Sequence, residues 1–522
     1  MSQAIADLEP SSQSETKPPQ SVADRGTSYR EILKATFLIG GSQVVNVLIS
    51  MVRAKVMAIL LGPAGVGLNG MYGSVLSLAQ TVAGLGINSS GVRQVAESLG
   101  TGDRNRVART VTVLRQVSLL LGLLGGAALV LGSAPIAQLT FGRVNQGETV
   151  GIALLSIVLF INLVMAGQGA LLQGLRKIRE MALANILGSL AGTVTVIPLV
   201  YYWGTDGIVP GLIAGSAAMF VVNWWFVRQI AISKPAMDWA EMTEEAGALA
   251  KLGFAFMISG LMVMVSGYAI RLIVIRFAGL ESTGLYHAAW TVGGMYVTLV
   301  LQSMGADFYP RLTQEIRNHA ASVRLVNEQT SVSLLLAGPG ILATLLFAPL
   351  GLTLLYSSKF VAATELMRWI CLGVALRVVS WPLGFVLMAE GNQRRIIAVE
   401  VAWTAVHLGL AWLLVPIWGL AGAGIAFFGS YVFHIAITYL LARRTIGFRW
   451  SSANLQIMAA QTFAVLGAFV LARFVDGWIS YAAWTLVLLG AGALSLRELT
   501  KITGIPERFR PWMTRATAMF GR

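Results

Sequence analysis

The chain has 522 residues, of which 56% are hydrophobic and only 12% charged, with a formal charge of +14. Soluble chains carry about a quarter charged residues, so this composition excludes an ordinary soluble protein. A single cysteine, Cys371, excludes an internal disulfide framework and a cysteine-based metal cluster.

Residues 1–28 are rich in Ser, Gln, Pro and Asp and lack an apolar core, so they read as a disordered cytoplasmic tail and not a signal peptide. Apolar runs long enough to cross a bilayer follow, with expected spans at 34–61, 67–90, 110–131, 149–172, 182–202, 207–228, 249–278, 284–306, 327–349, 362–388, 395–416, 419–441, 455–474 and 479–496. The pattern predicts an all-α polytopic membrane protein of about fourteen transmembrane helices. Residues 29–232 form a six-helix lobe, 233–248 a charged cytoplasmic linker and 249–445 a second six-helix lobe. An extra helix pair occupies 446–497, and 498–522 is a basic cytoplasmic tail.

Charge supports this layout. The connections at 62–66, 203–206, 279–283 and 417–418 contain no Lys or Arg. The alternate ones hold Arg104-Arg106-Arg109, Arg176-Lys177-Arg179, Arg311-Arg317-Arg324, Arg394-Arg395 and Arg443-Arg444-Arg449, while Arg143 and Lys359 are the main exceptions. The bias predicts both termini in the cytoplasm, and it accounts for the net positive charge without nucleic acid as a partner. With six spans in each half, both halves enter from one side, which makes them parallel repeats.

A duplication is visible in the residues. The hinge Leu61-Gly62-Pro63-Ala64-Gly65-Val66-Gly67-Leu68 returns as Gly279-Leu280-Glu281-Ser282-Thr283-Gly284-Leu285, an offset of 279 − 62 = 217. Gly174 pairs with Gly391 at 391 − 174 = 217, and Trp203-Gly204 pairs with Trp418-Gly419 at 418 − 203 = 215. Three landmarks in one order at nearly one offset mark an internal repeat. Gly62, Pro63 and Gly279 are expected to shape the hinges, and Trp203 and Trp418 to anchor at the membrane interface.

No phosphate loop, nucleophile elbow or zinc helix is present, so the chain reads as a transporter without an ATP site, cofactor or catalytic residue. His287, His407 and His434 lie on apolar helices and are expected to be satisfied packing groups. The chemistry stands in charges inside the spans, which are costly and ordinarily face a cavity or a partner. Arg53 and Lys55 lie in the first span, and Arg271 lies in the seventh at 271 − 217 = 54, beside Arg53. Cations at one depth in both leading helices suit a phosphate or pyrophosphate, which guanidinium binds bidentately. Arg53 and Arg271 lead this set, and Lys55, Arg276 and Arg377 are its weaker members. Asp307 and Glu400 are the carboxylates placed to carry a coupling ion, H+ or Na+, or to neutralise an arginine.

The stretch Leu61 to Leu68, continuing to Gly84-Leu85-Gly86-Ile87 and Gly91-Val92-Arg93, resembles the amino-terminal signature of Wzx-type O-antigen and polysaccharide translocases. Their superfamily also holds the MATE drug exporters and the lipid II flippases. The resemblance covers roughly 30–445. It implies two six-helix lobes in a V around a central cavity, working by alternating access. It further implies that an undecaprenyl-pyrophosphate-linked oligosaccharide is flipped from the cytoplasmic to the periplasmic leaflet of a bacterial inner membrane, alongside other polysaccharide-assembly membrane proteins. The polar N-terminus and the last helix pair depart from the usual twelve-helix form, and fourteen spans are familiar from lipid II flippases. The alternatives are therefore a lipid II flippase or a cation-coupled exporter of small molecules on the same fold.

Overall fold

The computed structural model describes residues 22–142, 145–230, 237–474 and 478–503, and these are helical throughout with short connections. In a hydrocarbon environment a helix satisfies every backbone polar group within its own segment, which is the physical reason for an all-α architecture at this composition. The helices are α1 Val22–Ala83, α2 Ile87–Gly100, α3 Arg104–Leu131, α4 Ser133–Phe141, α5 Gln146–Gly174, α6 Ile178–Trp203, α7 Ile208–Val227 and α8 Trp239–Glu315. They continue as α9 His319–Leu346, α10 Ala348–Leu355, α11 Thr364–Glu390, α12 Gln393–Trp418, α13 Leu420–Ile446, α14 Ser452–Leu471 and α15 Trp478–Thr503. Eleven stretches of the described residues are long and apolar enough to span a membrane. Three of them, Gly41–Ala83, Ile178–Val227 and Gly260–Gln302, each contain a break at Gly62, Gly204 or Gly279.

The hinges are not loops. α1 and α8 run for 62 and 77 residues, and each is interrupted at one glycine: Gly62 at φ 65°, ψ −173° and Gly279 at φ 86°, ψ 175°. That backbone region is essentially restricted to glycine, because any Cβ would clash there. After Gly62, Pro63 starts the next helical segment with a φ already suited to it. Gly279 makes the same break with Leu280 following, so the glycine alone is sufficient.

Three connections differ from expectation. The second apolar run stops at Ala83, because Leu85 (φ 44°) and Gly86 (φ 64°) turn the chain. There α2 begins, with Ile87, Gly91 and Val95 buried and Asn88, Arg93 and Glu97 exposed. The connections near 133–148 and 350–361 hold the short helices α4 and α10. α1 already starts at Val22, inside the stretch expected to be a tail, while the rest of both expected tails, residues 1–21 and 504–522, lies outside the described residues, as do 231–236 of the linker and Arg143.

Corresponding landmarks keep a constant separation. The N-caps Asp103 and Asn318, the first residues of α4 and α10, and the cap glycines Gly204 and Gly419 are each 215 residues apart: 318 − 103, 348 − 133 and 419 − 204. Gly204 (φ 57°, ψ −131°) and Gly419 (φ 56°, ψ −138°) also share one conformation. Gly174 and Gly391 do not correspond in this way. Gly391 is left-handed at φ 76°, whereas the left-handed residue in the first half is Arg176 at φ 56°, and 391 − 176 is again 215. The separation falls from 217 to 215 between the hinge and the next N-cap. There the first half carries the Gly84–Gly86 turn and α8 runs on without one.

The chain forms two compact units. The first is the chain up to Leu61 with Met71–Tyr268, and the second is Gly62–Gly70 with the chain from Ala269. In the first, Val111, Leu114 and Leu171 pack with Ile87 and Val95 of α2 and Leu249 of α8. Small residues close the helix contacts: a Cβ on Gly192 would stand 3.3 Å from the Gly215 carbonyl. The first turns of α8 belong to this unit, held by Leu249, by an Arg109–Glu241 ion pair of 3.1 Å, and by the close approach of Gly253 to Leu85 and Gly86.

In the second unit, Phe308, Leu312, Val326, Leu383, Val386 and Phe448 form the core. α14 is bolted to α9 by polar groups. The Asn454 side-chain amide donates to the Asn327 backbone carbonyl at 2.8 Å and to its side-chain oxygen at 2.9 Å, and accepts from the Ser331 hydroxyl. Asn327 in turn donates to the Arg449 carbonyl at 3.1 Å and accepts from the Ser451 amide at 2.8 Å. Further along, the Gln461 amide donates to the Leu334 carbonyl at 2.6 Å, and Arg473 pairs with Glu365.

Candidate functional site

The charged residues singled out in the spans are distributed between the units. Arg53 and Lys55 are half-buried in the first unit, nine and seven residues before Gly62. Arg271 is half-buried in the second, eight residues before Gly279. At about 1.5 Å of rise per residue, all three stand within about 1.5 Å of one depth below their hinge glycines. One residue also turns a helix by about 100°, so Arg271 takes the azimuth of Ala54 and not that of Arg53 or Lys55.

Within the second unit, Arg271 acts electrostatically on Tyr286 and His287, beyond the Gly279 break in the same helix. The break folds α8 back so that residues fifteen and sixteen positions later reach the arginine. An aromatic ladder leads away from this point. Tyr286 stacks on Trp290 (6.0 Å between ring centroids), Trp290 meets Phe427 (4.9 Å), and Phe427 meets both His407 (5.7 Å) and Tyr431 (4.9 Å). Trp403 then contacts His407 (5.5 Å), Tyr431 (5.6 Å) and His434 (6.2 Å). Arg377 of α11 lies within electrostatic range of Glu400, Tyr431 and His434 at the far end. Arg271 and Arg377 thus sit at the two ends of one aromatic-lined region built from α8, α11, α12 and α13.

The remaining candidates stand elsewhere. Arg276 is exposed, with its guanidinium 5.8 Å from the centre of the Trp412 ring. Asp307 is exposed and forms a 3.1 Å pair with Arg311 one turn on, an arrangement that contributes little to stability. Trp203 and Trp418 are exposed at the ends of α6 and α12, each directly before its left-handed glycine.

The histidines depart from the satisfied packing expected of them. His407 is 4% exposed, and neither of its ring nitrogens meets a hydrogen-bond partner; His287 Nδ1 and His434 Nδ1 also lack one. A sequence signal for this cluster did exist. Glu400, Trp403 and His407 are spaced i, i+3, i+7, and Phe427, Tyr431 and His434 are spaced i, i+4, i+7, so each set lines one helical face. In the first unit a cavity of about 380 Å³ opens at the Gly84–Gly86 turn, with Gln80, Thr81, Asn88 and Asn162 among its polar lining residues.

Comparison with known proteins agrees with this architecture. Residues 32–315, more than half of the chain, match the family described as polysaccharide biosynthesis protein. The chain is 24% identical over 424 residues to the lipid III flippase of Escherichia coli (strain K12), covering 79% of this chain and 99% of that protein, with the same figures for the lipid III flippase of Shigella flexneri. Among solved structures it resembles the lipid II flippase MurJ in an inward closed conformation (TM-score 0.67, 12% identity, 90% of this chain and 99% of that one). It also resembles an inward-facing multidrug resistance MATE family transporter of the MOP superfamily (TM-score 0.63, 16% identity, 77% of this chain and 94% of that one). The chain is therefore a multi-pass membrane protein with the MOP-superfamily fold, and it belongs to the polysaccharide biosynthesis protein family.

Proposed function

We propose that the protein is a flippase that moves a polyprenyl-pyrophosphate-linked oligosaccharide from the cytoplasmic to the periplasmic leaflet of a bacterial inner membrane, without catalysing a reaction. The observation that carries this reading is the match to the lipid III flippase along 99% of that protein's length. The half-buried Arg53 and Arg271 suit the substrate, because a planar guanidinium binds pyrophosphate oxygens in pairs and is more weakly hydrated than an ammonium. In this reading Lys55, Arg276 and Arg377 supply further positive charge along the path. Counting each of the three broken stretches as two crossings makes 11 + 3 = 14 spans, arranged as two parallel six-helix repeats plus the pair α14–α15. The constant separation of caps and the shared glycine conformations support the repeat. The charge bias of the connections supports a topology with both termini in the cytoplasm.

A second reading is a lipid II flippase. It is favoured by the 90% of this chain that superposes on that fold, against 77% for the MATE transporter. The two readings share the polyprenyl-pyrophosphate group and differ in the glycan.

The test is mass spectrometry of membrane lipids from cells depleted of the protein. A polyprenyl-pyrophosphate oligosaccharide is expected to accumulate and to be cleared by the wild type, but not by Arg53→Ala or Arg271→Ala at normal membrane levels. The mass of the lipid identifies the glycan. No accumulation on depletion sinks the flippase reading, and full clearance by both variants sinks the arginine assignment.

A further inference from the structure

The two halves of the repeat part at one place in the first unit. From hinge glycine to next N-cap the first half runs 103 − 62 = 41 positions and the second 318 − 279 = 39, and the Gly84–Gly86 turn stands in that longer stretch. The Gly84 amide donates to the Gln80 carbonyl and the Ile87 amide to the Gly84 carbonyl, both at 2.9 Å, which closes the turn. A Cβ on Gly86 would overlap the Gly253 carbonyl and stand 3.1 Å from Phe256 Cβ, and one on Gly84 would stand 3.0 Å from Leu163. The end of α1, the middle of α5 and the Gly253–Phe256 stretch of α8 thus converge on the turn and border the cavity of about 380 Å³.

The corresponding positions of the second half are filled. The separation of 215 holds on both sides of this part of α5, from the start of α4 to Arg176, so Asn162 and Ala166 correspond to Arg377 and Trp381. Gln80, at the hinge separation of 217, corresponds to Val297, which is buried. The Trp381 ring packs on Phe385 at 4.4 Å between centroids and stands 2.9 Å from where a Cβ on Gly305 would lie. The first half keeps a methyl where the second carries this indole, and the cavity follows from that exchange.

The lining is polar but uncharged. Gln80 and Asn162 contribute carboxamides from within the spans, where a polar group is costly and ordinarily faces a cavity or a partner. Thr81, Asn88 and Ser89 add further polar groups, and Phe256, 43% exposed, adds an aromatic ring. The Thr81 hydroxyl donates to the Ser77 carbonyl at 2.9 Å and keeps its lone pairs. Carboxamides and hydroxyls both donate and accept hydrogen bonds. A sugar ring matches this lining, because each of its hydroxyls also does both and its C–H face packs on an aromatic ring. A phosphate only accepts and a metal ion only takes lone pairs, so either would leave half of the capacity unused. The volume falls in the range of small-molecule sites, about 300–1,000 Å³.

We propose that the cavity at the Gly84–Gly86 turn is a sugar subsite that takes an uncharged pyranose ring, held by Gln80 and Asn162 against Phe256. That the ring belongs to a lipid-linked glycan rests on the flippase reading above; affinity for the ring itself does not. On the topology proposed there, the turn lies at the cytoplasmic end of the first unit, where a glycan assembled in the cytoplasm arrives. A site that hydrogen-bonds particular hydroxyls rejects a ring lacking them. These residues therefore select the glycan, whereas pyrophosphate is common to all such lipids.

Two measurements test this. In the first, full-length protein in lipid nanodiscs is mixed with glucose, N-acetylglucosamine or glucuronate, and saturation transfer from protein to sugar is followed by proton NMR. Transfer is expected to the two uncharged sugars, and Gln80→Leu/Asn162→Leu is expected to weaken it about tenfold through loss of two hydrogen-bonding groups. Ala166→Trp, which copies the second half, is expected to abolish it. No transfer to either uncharged sugar, transfer to glucuronate alone, or full transfer in either folded variant overturns the subsite. In the second, the lipid that accumulates on depletion and a polyprenyl pyrophosphate without sugar are each titrated onto wild type and the double variant. Loss of affinity confined to the glycosylated lipid supports the subsite, and equal loss or no loss for the two lipids overturns it. If depletion causes no accumulation at all, the flippase reading fails while the NMR result still decides the sugar site.

Discussion

Gly67 and Gly284 pack backbone to backbone. A Cβ added to Gly67 would overlap the Leu280 carbonyl and stand 2.9 Å from the Gly284 nitrogen; one added to Gly284 would overlap the Pro63 carbonyl and stand 2.8 Å from the Gly67 nitrogen. The relationship is reciprocal, because 284 − 67 and 280 − 63 are both 217, the separation of the hinge glycines. Each segment therefore presents the same pair of positions to the other, as an isologous contact does. The segment Gly62–Gly70, though it comes from the first long helix, accordingly belongs to the second compact unit.

Gly67→Ala and Gly284→Ala should each destabilise the protein by about 1–3 kcal/mol, because the obstructing atoms are backbone and cannot swing aside. Gly73→Ala, with nothing within 4 Å of its added methyl, is the control and should be neutral or slightly stabilising. Thermal unfolding in nanodiscs checks this, and equal midpoints for the three variants would show that the contact does not form.

Gly62→Ala and Gly279→Ala act differently. Space around both glycines is open, so any cost arises from the backbone alone, about 1–3 kcal/mol for a residue forced into this region. The expected result is a lower unfolding temperature for each that a smaller neighbour, such as Leu61→Ala or Leu280→Ala in the same background, does not restore. A neutral Gly279→Ala would mean that the break relaxes into continuous helix.

Asn454→Leu removes the residue that ties α14 to α9 in the second unit. It leaves the Asn327 and Ser331 groups without their partner, and measured interhelical hydrogen bonds in membranes are worth about 0.6–2 kcal/mol each. Limited proteolysis at the connection before Ser452 should accelerate several-fold, while Gln456→Leu, exposed on the same helix, should leave it unchanged. Equal rates for the two would show that the network does not hold the helix.

Arg271→Lys keeps the charge and loses the planar fork. If the guanidinium holds a pyrophosphate through paired hydrogen bonds, clearance of lipid-linked precursor should fall to an intermediate level between wild type and Arg271→Ala. Full activity in Arg271→Lys would reduce the role of this residue to charge alone.

Much of this architecture is legible in the sequence, because bilayer thickness and backbone hydrogen bonding leave few options to long apolar runs. The span positions and the glycine pairs 62/279 and 204/419 follow from composition and spacing, and the backbone angles at those glycines agree with the pairing. α2 was missed because its polar face breaks the apolar run, and the Gly174/Gly391 pairing slipped because a left-handed cap fell on Arg176, a residue type that gives no sign of it. The histidines show the larger gap. Their types and positions were plain, but whether a ring nitrogen finds a partner depends on neighbours from three helices, and helix spacing alone says nothing about those.

The sequence by itself determined that this chain is a membrane-embedded helical protein with breaks at Gly62 and Gly279, preceded at nearly equal spacing by Arg53 and Arg271, since periodicity and glycine chemistry are local properties. Only the tertiary structure decided that Gly62–Gly70 packs with the second unit, that Asn327 and Asn454 bind α14 in place, and that Trp403, His407 and His434 meet with their nitrogens unpaired. Those facts depend on which faces of distant helices come together, and that is set by packing across more than a hundred residues of sequence.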